Sequence, residues 1–127
     1  MEGKGRITGH TGLLALIGSP VGHSGSPAMY NYSFEKLGLD YAYVAFDIKV
    51  EEVKAALDAM RLFHMRGCNV TMPCKTEAAK YMDELSPAAR IIGAVNTIVN
   101  EDGKLIGHMT DGEGFVGNLR DLSLIHI

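Results

Sequence analysis

The stretch Leu13-Leu14-Ala15-Leu16-Ile17, bracketed by Gly12 and Gly18, decides the fold. A continuous apolar run of strand length, without alternation, is typical of a strand covered on both faces, as in a parallel sheet. A helix is predicted to begin at Ser26-Pro27, because a serine oxygen can cap free N–H groups and proline tolerates the first helical position. Gly38 is expected to end this helix.

Strands and helices then alternate. Residues Tyr41 to Phe46 are aromatic and β-branched enough for a second strand. Apolar residues at spacings of three and four predict an amphipathic helix from Val50 to Met65, and a short third strand follows at residues 68–70. This order predicts an α/β fold with a mostly parallel sheet and helices on both faces, in three layers α/β/α.

The second half of the chain adds helices and a hairpin. Helices are predicted over residues 75–81 and from Ser86-Pro87 to Gly93. The Asp-Gly pair at positions 102 and 103 predicts a hairpin between residues 97–99 and 104–106, so an antiparallel pair joins the sheet. A last helix is predicted from Gly112 onward.

Composition limits the function classes. The 127 residues fit one domain, and 12 basic against 15 acidic residues give a net charge of -3, which disfavours nucleic-acid binding. The apolar runs are far shorter than the roughly 20 residues that span a bilayer, so neither a membrane span nor a secretory signal is predicted. The two cysteines are interpreted as reduced thiols of a cytoplasmic protein, and the five scattered histidines predict no metal site.

Three loops that follow predicted strands are the first candidates for a site: residues 18–27, 71–75 and 110–114. In the first, Ser24 and Ser26 precede a helix N-terminus and can receive a carboxylate or a phosphate, although Ser26 alone is also explained as a helix cap. In the second, Lys75 follows a proline-fixed turn and is a candidate proton carrier. The alternative is a solvated lysine in the first turn of a helix.

Asp111 and Asn96 complete the candidate set. Asp111 either caps the last helix or points an acceptor into the same crevice as Lys75, in which case the two groups form one proton-handling unit. Asn96 can offer both a donor and an acceptor, or can simply tie down a turn.

Residues 112–117 match the dinucleotide fingerprint Gly-x-Gly-x-x-Gly. The fingerprint requires a strand directly before it and an acidic residue about 20 positions later, at the end of a further strand. Because the sequence ends first, the match is interpreted as accidental.

Four motifs in order resemble the successive signatures of the shikimate dehydrogenase family, including the related quinate/shikimate dehydrogenases. They cover positions 18 to 117 and are similar only to the amino-terminal, substrate-binding part of that family. The motifs are Gly18-Ser19-Pro20-Val21-Gly22-His23-Ser24-Gly25-Ser26-Pro27, Asn69-Val70-Thr71-Met72-Pro73-Cys74-Lys75, Gly93-Ala94-Val95-Asn96-Thr97 and Thr110-Asp111-Gly112-Glu113-Gly114.

The resemblance implies a reversible reduction of 3-dehydroshikimate to shikimate with NADPH, or with NAD(H) in quinate-type relatives. Ser24 and Ser26 would hold the substrate carboxylate, and Thr71 and Asn96 would bind the ring substituents. Lys75 and Asp111 would contact hydroxyls at the reacting edge, with Lys75 as the proton donor and acceptor and the hydride coming from the nicotinamide.

The resemblance also implies a division of the chain. Residues 1–12 are expected to be loosely ordered, residues 13–117 to form the substrate-binding domain, and residues 118–127 to begin the connection to an absent NADP-binding Rossmann domain. The fragment is therefore expected to be inactive alone and to associate into a homo-oligomer through exposed apolar surface. Tyr30 and Met109 depart from the family pattern. The competing reading is a non-catalytic module that binds a hydroxylated carboxylic acid.

Overall fold

The computed structural model describes residues 5–110, which form one six-stranded sheet with helices. The strands are β1 (Gly12–Gly18), β2 (Tyr41–Asp47), β3 (Gly67–Val70), β4 (Glu84–Leu85), β5 (Thr97–Glu101) and β6 (Lys104–His108). The helices are α1 (Ser26–Leu37), α2 (Val53–Leu62), α3 (Lys75–Ala79) and α4 (Pro87–Ile92), and a 3-10 turn at Val50–Glu52 leads into α2.

The strands are arranged in the order β2-β1-β3-β5-β6-β4. Strand β1 pairs in parallel with β2 and β3, and β4 pairs in parallel with β6, whereas β5 is antiparallel to both of its neighbours. Five strands therefore run one way and β5 runs the other, which confirms the mostly parallel sheet with an antiparallel hairpin. Strand β4 was not predicted, because two residues are too short for a periodic signal.

The apolar run of β1 supplies both cores of the domain. Leu14 and Leu16 face α1 and pack in one cluster with its Phe34. Ala15 and Ile17 point the other way and pack in the cluster that includes Leu57 of α2. Successive side chains of a strand alternate between faces, so an unbroken apolar run is what a sheet covered by helices on both faces requires. The three-layer prediction is confirmed.

Helix α1 begins and ends where predicted, but its cap differs from the prediction. Gly38 ends the helix with the left-handed φ of 70° that glycine adopts without steric cost. Ser26 is the first helical residue and not the cap, since Gly25 occupies the N-cap position. The Ser26 N–H is instead bonded to the hydroxyl oxygen of Ser24 at 3.1 Å.

Two helices are shorter than predicted. Helix α2 ends at Leu62, because the chain must turn sharply to enter β3: the Met65 N–H donates to the carbonyl of Met60 at 3.0 Å, and Phe63 is left 66% exposed. Helix α3 ends at Ala79 because the chain soon joins β6, where the Asp83 N–H donates to Leu105.

The described part of the amino-terminal segment, residues 5–11, has defined contacts with the sheet. The Arg6 guanidinium donates to the Tyr41 carbonyl, and the Thr11 hydroxyl donates to Asp40 at 2.8 Å.

The predicted helix from Gly112, the boundary at residue 117 and the segment 118–127 lie outside the described residues. Within residues 5–110, no helix has both the length and the apolar character needed to cross a membrane.

Candidate functional site

The candidate site lies where the strand order reverses. From β1 the chain passes through α1 to β2 on one side, and β3 then lies on the other side of β1. The loops after β1 and β3 therefore emerge side by side at the carboxyl ends of parallel strands, which is where open α/β sheets bind ligands.

Gly18 brings these two loops into contact. It has a φ of +150°, and a Cβ atom at this position would lie 2.3 Å from Cγ2 of Thr71 and 2.8 Å from the Met72 carbonyl oxygen. Two backbone hydrogen bonds join the loops, from Ser19 N–H to Met72 at 3.0 Å and from Thr71 N–H to Ile17 at 2.9 Å. This close approach requires glycine.

A cavity of about 280 Å³ opens between the two loops. It brings together three of the residues predicted from sequence, namely Ser24, Ser26 and Thr71. All three side chains are half-buried, so their hydroxyl groups can face a ligand. The remaining lining residues are Leu16, Pro20, Val21 and His23.

The start of α1 gives this cavity the character of an anion site. Gly25 at the N-cap has no side chain to cap the helix, and the first turn holds no acidic residue. The positive end of the helix dipole therefore faces the loop without a built-in carboxylate. Together with the Ser24 and Ser26 hydroxyls, it can receive a negatively charged group.

Asn96 lies just before β5 and does not line this cavity, but its backbone is tied to the same edge. Its carbonyl accepts from the Val70 N–H at 2.9 Å, next to Thr71. Its side chain donates to the Thr110 carbonyl at 2.7 Å and accepts from the Thr110 N–H at 2.9 Å. Asn96 therefore does tie down the chain, and within residues 5–110 its amide group donates this one hydrogen bond of the two it can form.

Lys75 is the first residue of α3 and is half-buried. Its carbonyl accepts from the Val95 N–H at 3.1 Å, which places the backbone of Lys75 beside Asn96. Within residues 5–110 its ammonium group forms no ion pair, and the nearby Glu77 is paired with Lys80 at 3.0 Å. Burial raises the pKa of the adjacent Cys74 thiol, so this thiol is neutral at neutral pH.

Asp111 lies outside the described residues. Its neighbour in sequence, Thr110, is bonded to the Asn96 side chain. The residue before Asn96, Val95, donates its N–H to the Lys75 carbonyl. The convergence of Lys75 and Asp111 stays a prediction that these contacts support.

Sequence reasoning missed three polar residues behind the cavity: Tyr43, Asn69 and Thr97. The Tyr43 hydroxyl donates to Oδ1 of Asn69 at 2.8 Å, and Nδ2 of Asn69 donates to the Thr97 hydroxyl at 3.4 Å. Burial raises the pKa of Tyr43, so the phenol stays protonated. The available signal was an asparagine in an otherwise apolar strand, Gly67–Val70.

His108 pairs with Thr97 across the β5–β6 hairpin. Its Nε2 atom is buried and has no hydrogen-bond partner among residues 5–110. Burial lowers the pKa of this histidine, because a desolvated imidazole resists protonation.

Comparison with known proteins agrees with this geometry. Residues 16–98 match the family model described as the shikimate dehydrogenase substrate binding domain. The chain belongs to this family. As a shikimate dehydrogenase substrate-binding domain, it is 53% identical over 116 residues to the shikimate dehydrogenase (NADP(+)) of Listeria monocytogenes. That match covers 91% of this chain and 40% of the relative.

Solved structures share the fold of this shikimate dehydrogenase domain. Shikimate 5-dehydrogenase from Listeria monocytogenes, in complex with shikimate and NAD, is 52% identical with a TM-score of 0.83, and the match covers 94% of this chain and 41% of that one. The 5-ketofructose reductase of Gluconobacter is 30% identical with a TM-score of 0.80, covering 91% and 42%. The chain thus spans about 40% of the length of the relatives it matches.

Proposed function

We propose that this chain is the substrate-binding and proton-handling part of an enzyme that reversibly reduces 3-dehydroshikimate to shikimate with NADPH. One observation carries the proposal: Ser24, Ser26 and Thr71 line one cavity at the point where the strand order reverses. The match of residues 16–98 to the shikimate dehydrogenase substrate binding domain supports the choice of ligand. Quinate, with NAD(H) or NADP(H), is the alternative substrate.

The ring acid fits the chemistry of the cavity. Its carboxylate would accept hydrogen bonds from the Ser24 and Ser26 hydroxyls at the start of α1, where Gly25 offers no capping side chain. Hydrogen bonds to a charged acceptor are the stronger kind, and this would fix the orientation of the ring. Thr71 and the amide group of Asn96 would then bind ring hydroxyls.

Reduction of a ketone to an alcohol requires a proton at the oxygen. We assign its delivery, and its removal in the reverse direction, to Lys75, with Asp111 holding the neighbouring hydroxyl. A lysine with no carboxylate partner among residues 5–110 suits this role better than one already fixed in an ion pair. A module that only binds an acid needs no such proton carrier.

The cavity that contains Ser24, Ser26 and Thr71 does not fit a dinucleotide cofactor. The cavity of about 280 Å³ is small even for a drug-sized ligand, for which pockets of roughly 300–1,000 Å³ are usual. The NADP named for the relatives would therefore be bound outside this cavity. The role proposed for the described residues is limited to binding the acid and moving its proton.

Location and association complete the proposal. Cys68 and Cys74 are free, buried thiols, which agrees with a protein of the cytoplasm.

An apolar groove of about 260 Å³, lined by Phe46, Phe63 and residues of β1 and α2, lies on the face away from α1. Exposed apolar surface of this kind favours self-association.

The test is a chimera in which this chain replaces the matching part of Listeria monocytogenes shikimate dehydrogenase. The chimera is expected to form NADPH from NADP+ and shikimate, measured by absorbance. Replacing both Ser24 and Ser26 by alanine is expected to raise KM for shikimate at least about ten-fold, because two hydrogen bonds to a charged group are lost. Ser33→Ala, in the middle of α1, is the matched control and should leave KM unchanged.

The outcomes separate the candidates. A folded chimera that oxidises neither shikimate nor quinate contradicts the proposal. Preference for quinate selects the alternative substrate. Activity on an uncharged ketose such as 5-ketofructose, with shikimate inert, would assign the chain to the chemistry named for the Gluconobacter relative.

A further inference from the structure

Strand β2 lies at one edge of the sheet, and β1 is its one neighbouring strand within residues 5–110. The N–H and C=O groups of successive strand residues point alternately to the two sides of the strand. Just after β2, the Ile48 N–H donates to the Gly18 carbonyl of β1 at 2.9 Å, so the even-numbered positions face β1. The odd-numbered positions of β2 therefore turn their main-chain groups toward the open edge. They are Tyr41, Tyr43, Ala45 and Asp47.

The first half of this edge is closed by side chains. The Tyr43 N–H donates to Oδ1 of Asn31 at 2.9 Å, and Nδ2 of Asn31 donates to the Tyr43 carbonyl at 2.8 Å. Asn31 thus occupies the place of a neighbouring strand. The Arg6 guanidinium donates to the Tyr41 carbonyl and to Oδ1 of Asn31. Another strand cannot pair with this half of the edge while these bonds are formed.

The second half, residues 45–47, is the open edge segment. Within residues 5–110, no hydrogen bond takes the outward N–H and C=O groups of Ala45 and Asp47. The side chains of Val44 and Phe46 share one face of the strand and are both exposed, and Phe46 also lines the apolar groove. Unpaired main-chain groups beside exposed apolar side chains form a template for a further strand.

The open edge segment is complementary to a second copy of itself. If a two-fold axis passes at Phe46, Ala45 of each copy lies opposite Asp47 of the other, and all the outward groups of both residues are bonded. The two Phe46 side chains then face each other, and the apolar contact continues into the groove that Phe46 lines. A register centred nearer the start of β2 would place the second copy against Tyr43, whose main-chain groups Asn31 occupies.

We propose that two copies of this chain associate by antiparallel pairing of their open edge segments, centred on Phe46, with Asn31 and Arg6 fixing the register. The pairing joins two six-stranded sheets into one continuous sheet. It does not depend on the ligand proposed for the cavity, and it gives the proposed self-association a defined geometry.

Two variants of Asp47 test the hydrogen bonds of the pairing. Asp47 is exposed and ends β2, where proline is tolerated because the N–H faces outward. Asp47→Pro and Asp47→Asn both remove the carboxylate, but only proline removes the N–H. In sedimentation of the 127-residue chain, Asp47→Pro should raise the dimer Kd at least about ten-fold. Asp47→Asn should lower it about two-fold, since the two carboxylates lie diagonally across the pair.

Single cysteines test the register. Phe46→Cys should form a disulfide between two copies in oxidised glutathione, because directly opposed residues have Cα atoms about 4.5 Å apart. Val44→Cys is the matched control on the same face. Its two copies would lie about 13 Å apart along the strands, too far for a disulfide. The native Cys68 and Cys74 are buried and do not compete.

Asn31→Ala tests the closed half of the edge. The variant releases the main-chain groups of Tyr43, so a longer pairing centred on Val44 becomes available. Val44→Cys should therefore form a disulfide between copies in the Asn31→Ala background. No disulfide in that background would overturn the role of Asn31 in fixing the register.

The remaining outcomes are equally decisive. A parent chain that stays monomeric overturns the pairing and the proposed self-association, but leaves the proposed binding of the ring acid intact. Unchanged association of Asp47→Pro, or equal cross-linking of the two cysteine variants, overturns the edge pairing and leaves association through the groove alone. If Asp47→Pro does not fold, the comparison of Phe46→Cys with Val44→Cys decides the question.

Discussion

Asn96 and Thr110 hold each other by two opposed hydrogen bonds, from the Asn96 amide to the Thr110 carbonyl at 2.7 Å and from the Thr110 N–H to the Asn96 amide oxygen at 2.9 Å. The Asn96 side chain thereby pairs with the main chain of Thr110, which lies two residues beyond the end of β6. Thr110 directly precedes Asp111 in the sequence, so this contact fixes the last described residue before the predicted catalytic carboxylate.

Asn96→Ala is expected to lower the free energy of unfolding by about 2 kcal/mol, because it leaves main-chain groups of Thr110 without partners. Urea titration of the 127-residue chain, followed by circular dichroism, measures this change. Asn96→Asp keeps the acceptor but sets a carboxylate oxygen against the Thr110 carbonyl, so its loss should be at least as large. Equal stability of Asn96→Ala and the parent chain would show that the contact contributes nothing.

Gly18→Ala is expected to cost about 2–3 kcal/mol of stability, because a Cβ would overlap Thr71 and the Met72 carbonyl while φ stays at +150°. Gly22→Ala is the control in the same loop, since no atom lies within 4 Å of its Cβ position. The control should stay within about 0.5 kcal/mol of the parent in the same titration. Similar losses in both variants would contradict the role assigned to Gly18.

Stability should fall as the pH decreases below the ordinary pKa of histidine, because of His108. Burial lowers the pKa of His108 in the folded chain, so in this window the unfolded chain binds more protons than the folded chain. The free energy of unfolding therefore rises with pH across the window and is reduced by acid. His108→Leu should reduce this dependence in urea titrations at about pH 5.5, 6.5 and 7.5. An identical slope in the variant would assign the dependence to other groups.

The apolar groove predicts self-association of the chain. Phe63 and Leu62 beside it are 66% and 70% exposed. Light scattering at high concentration should give a mass above the 13.7 kDa of one chain, and Phe63→Lys should lower it. Ile91→Lys on α4 is the control, since Ile91 is 85% exposed but does not line the groove. A monomeric parent chain would refute the prediction.

The sequence was sufficient where a local pattern has one physical meaning. The unbroken run Leu13 to Ile17 required two covered faces, and Gly38 had to end a helix. The sequence was insufficient where contacts between residues far apart in the chain determine the role of a residue or the end of a helix. Tyr43 looked like a strand residue of high β-propensity, because its polar role depends on Asn69, 26 positions away. The end of α2 likewise follows from the turn into β3, which helix periodicity does not encode.

The candidate site was predictable in its residue types but not in its geometry. The serine pair and Thr71 were named from motifs, and the structure places them in one cavity. The sequence left two roles open for Asn96, binding a ligand or tying down a turn. Its contacts with Thr110 show that it does tie down the chain. The helix-cap explanation of Ser26 was wrong because the chain places a glycine at the cap position.

Lys75→Met in the chimera provides the sharpest test of the proton-carrier assignment. A positioned general acid or base contributes typically about 10²–10⁴-fold to turnover, so kcat should fall by that order while KM for shikimate changes little. Lys80→Met is the matched control, because Lys80 lies one turn further along, is paired with Glu77 and has a side chain that is 63% exposed. The control should retain the parent kcat. Methionine keeps the length and apolar stem of lysine, so packing is largely preserved. A Lys75→Met chimera with near-parent kcat would remove Lys75 from the reaction, and a rise in KM alone would limit it to binding.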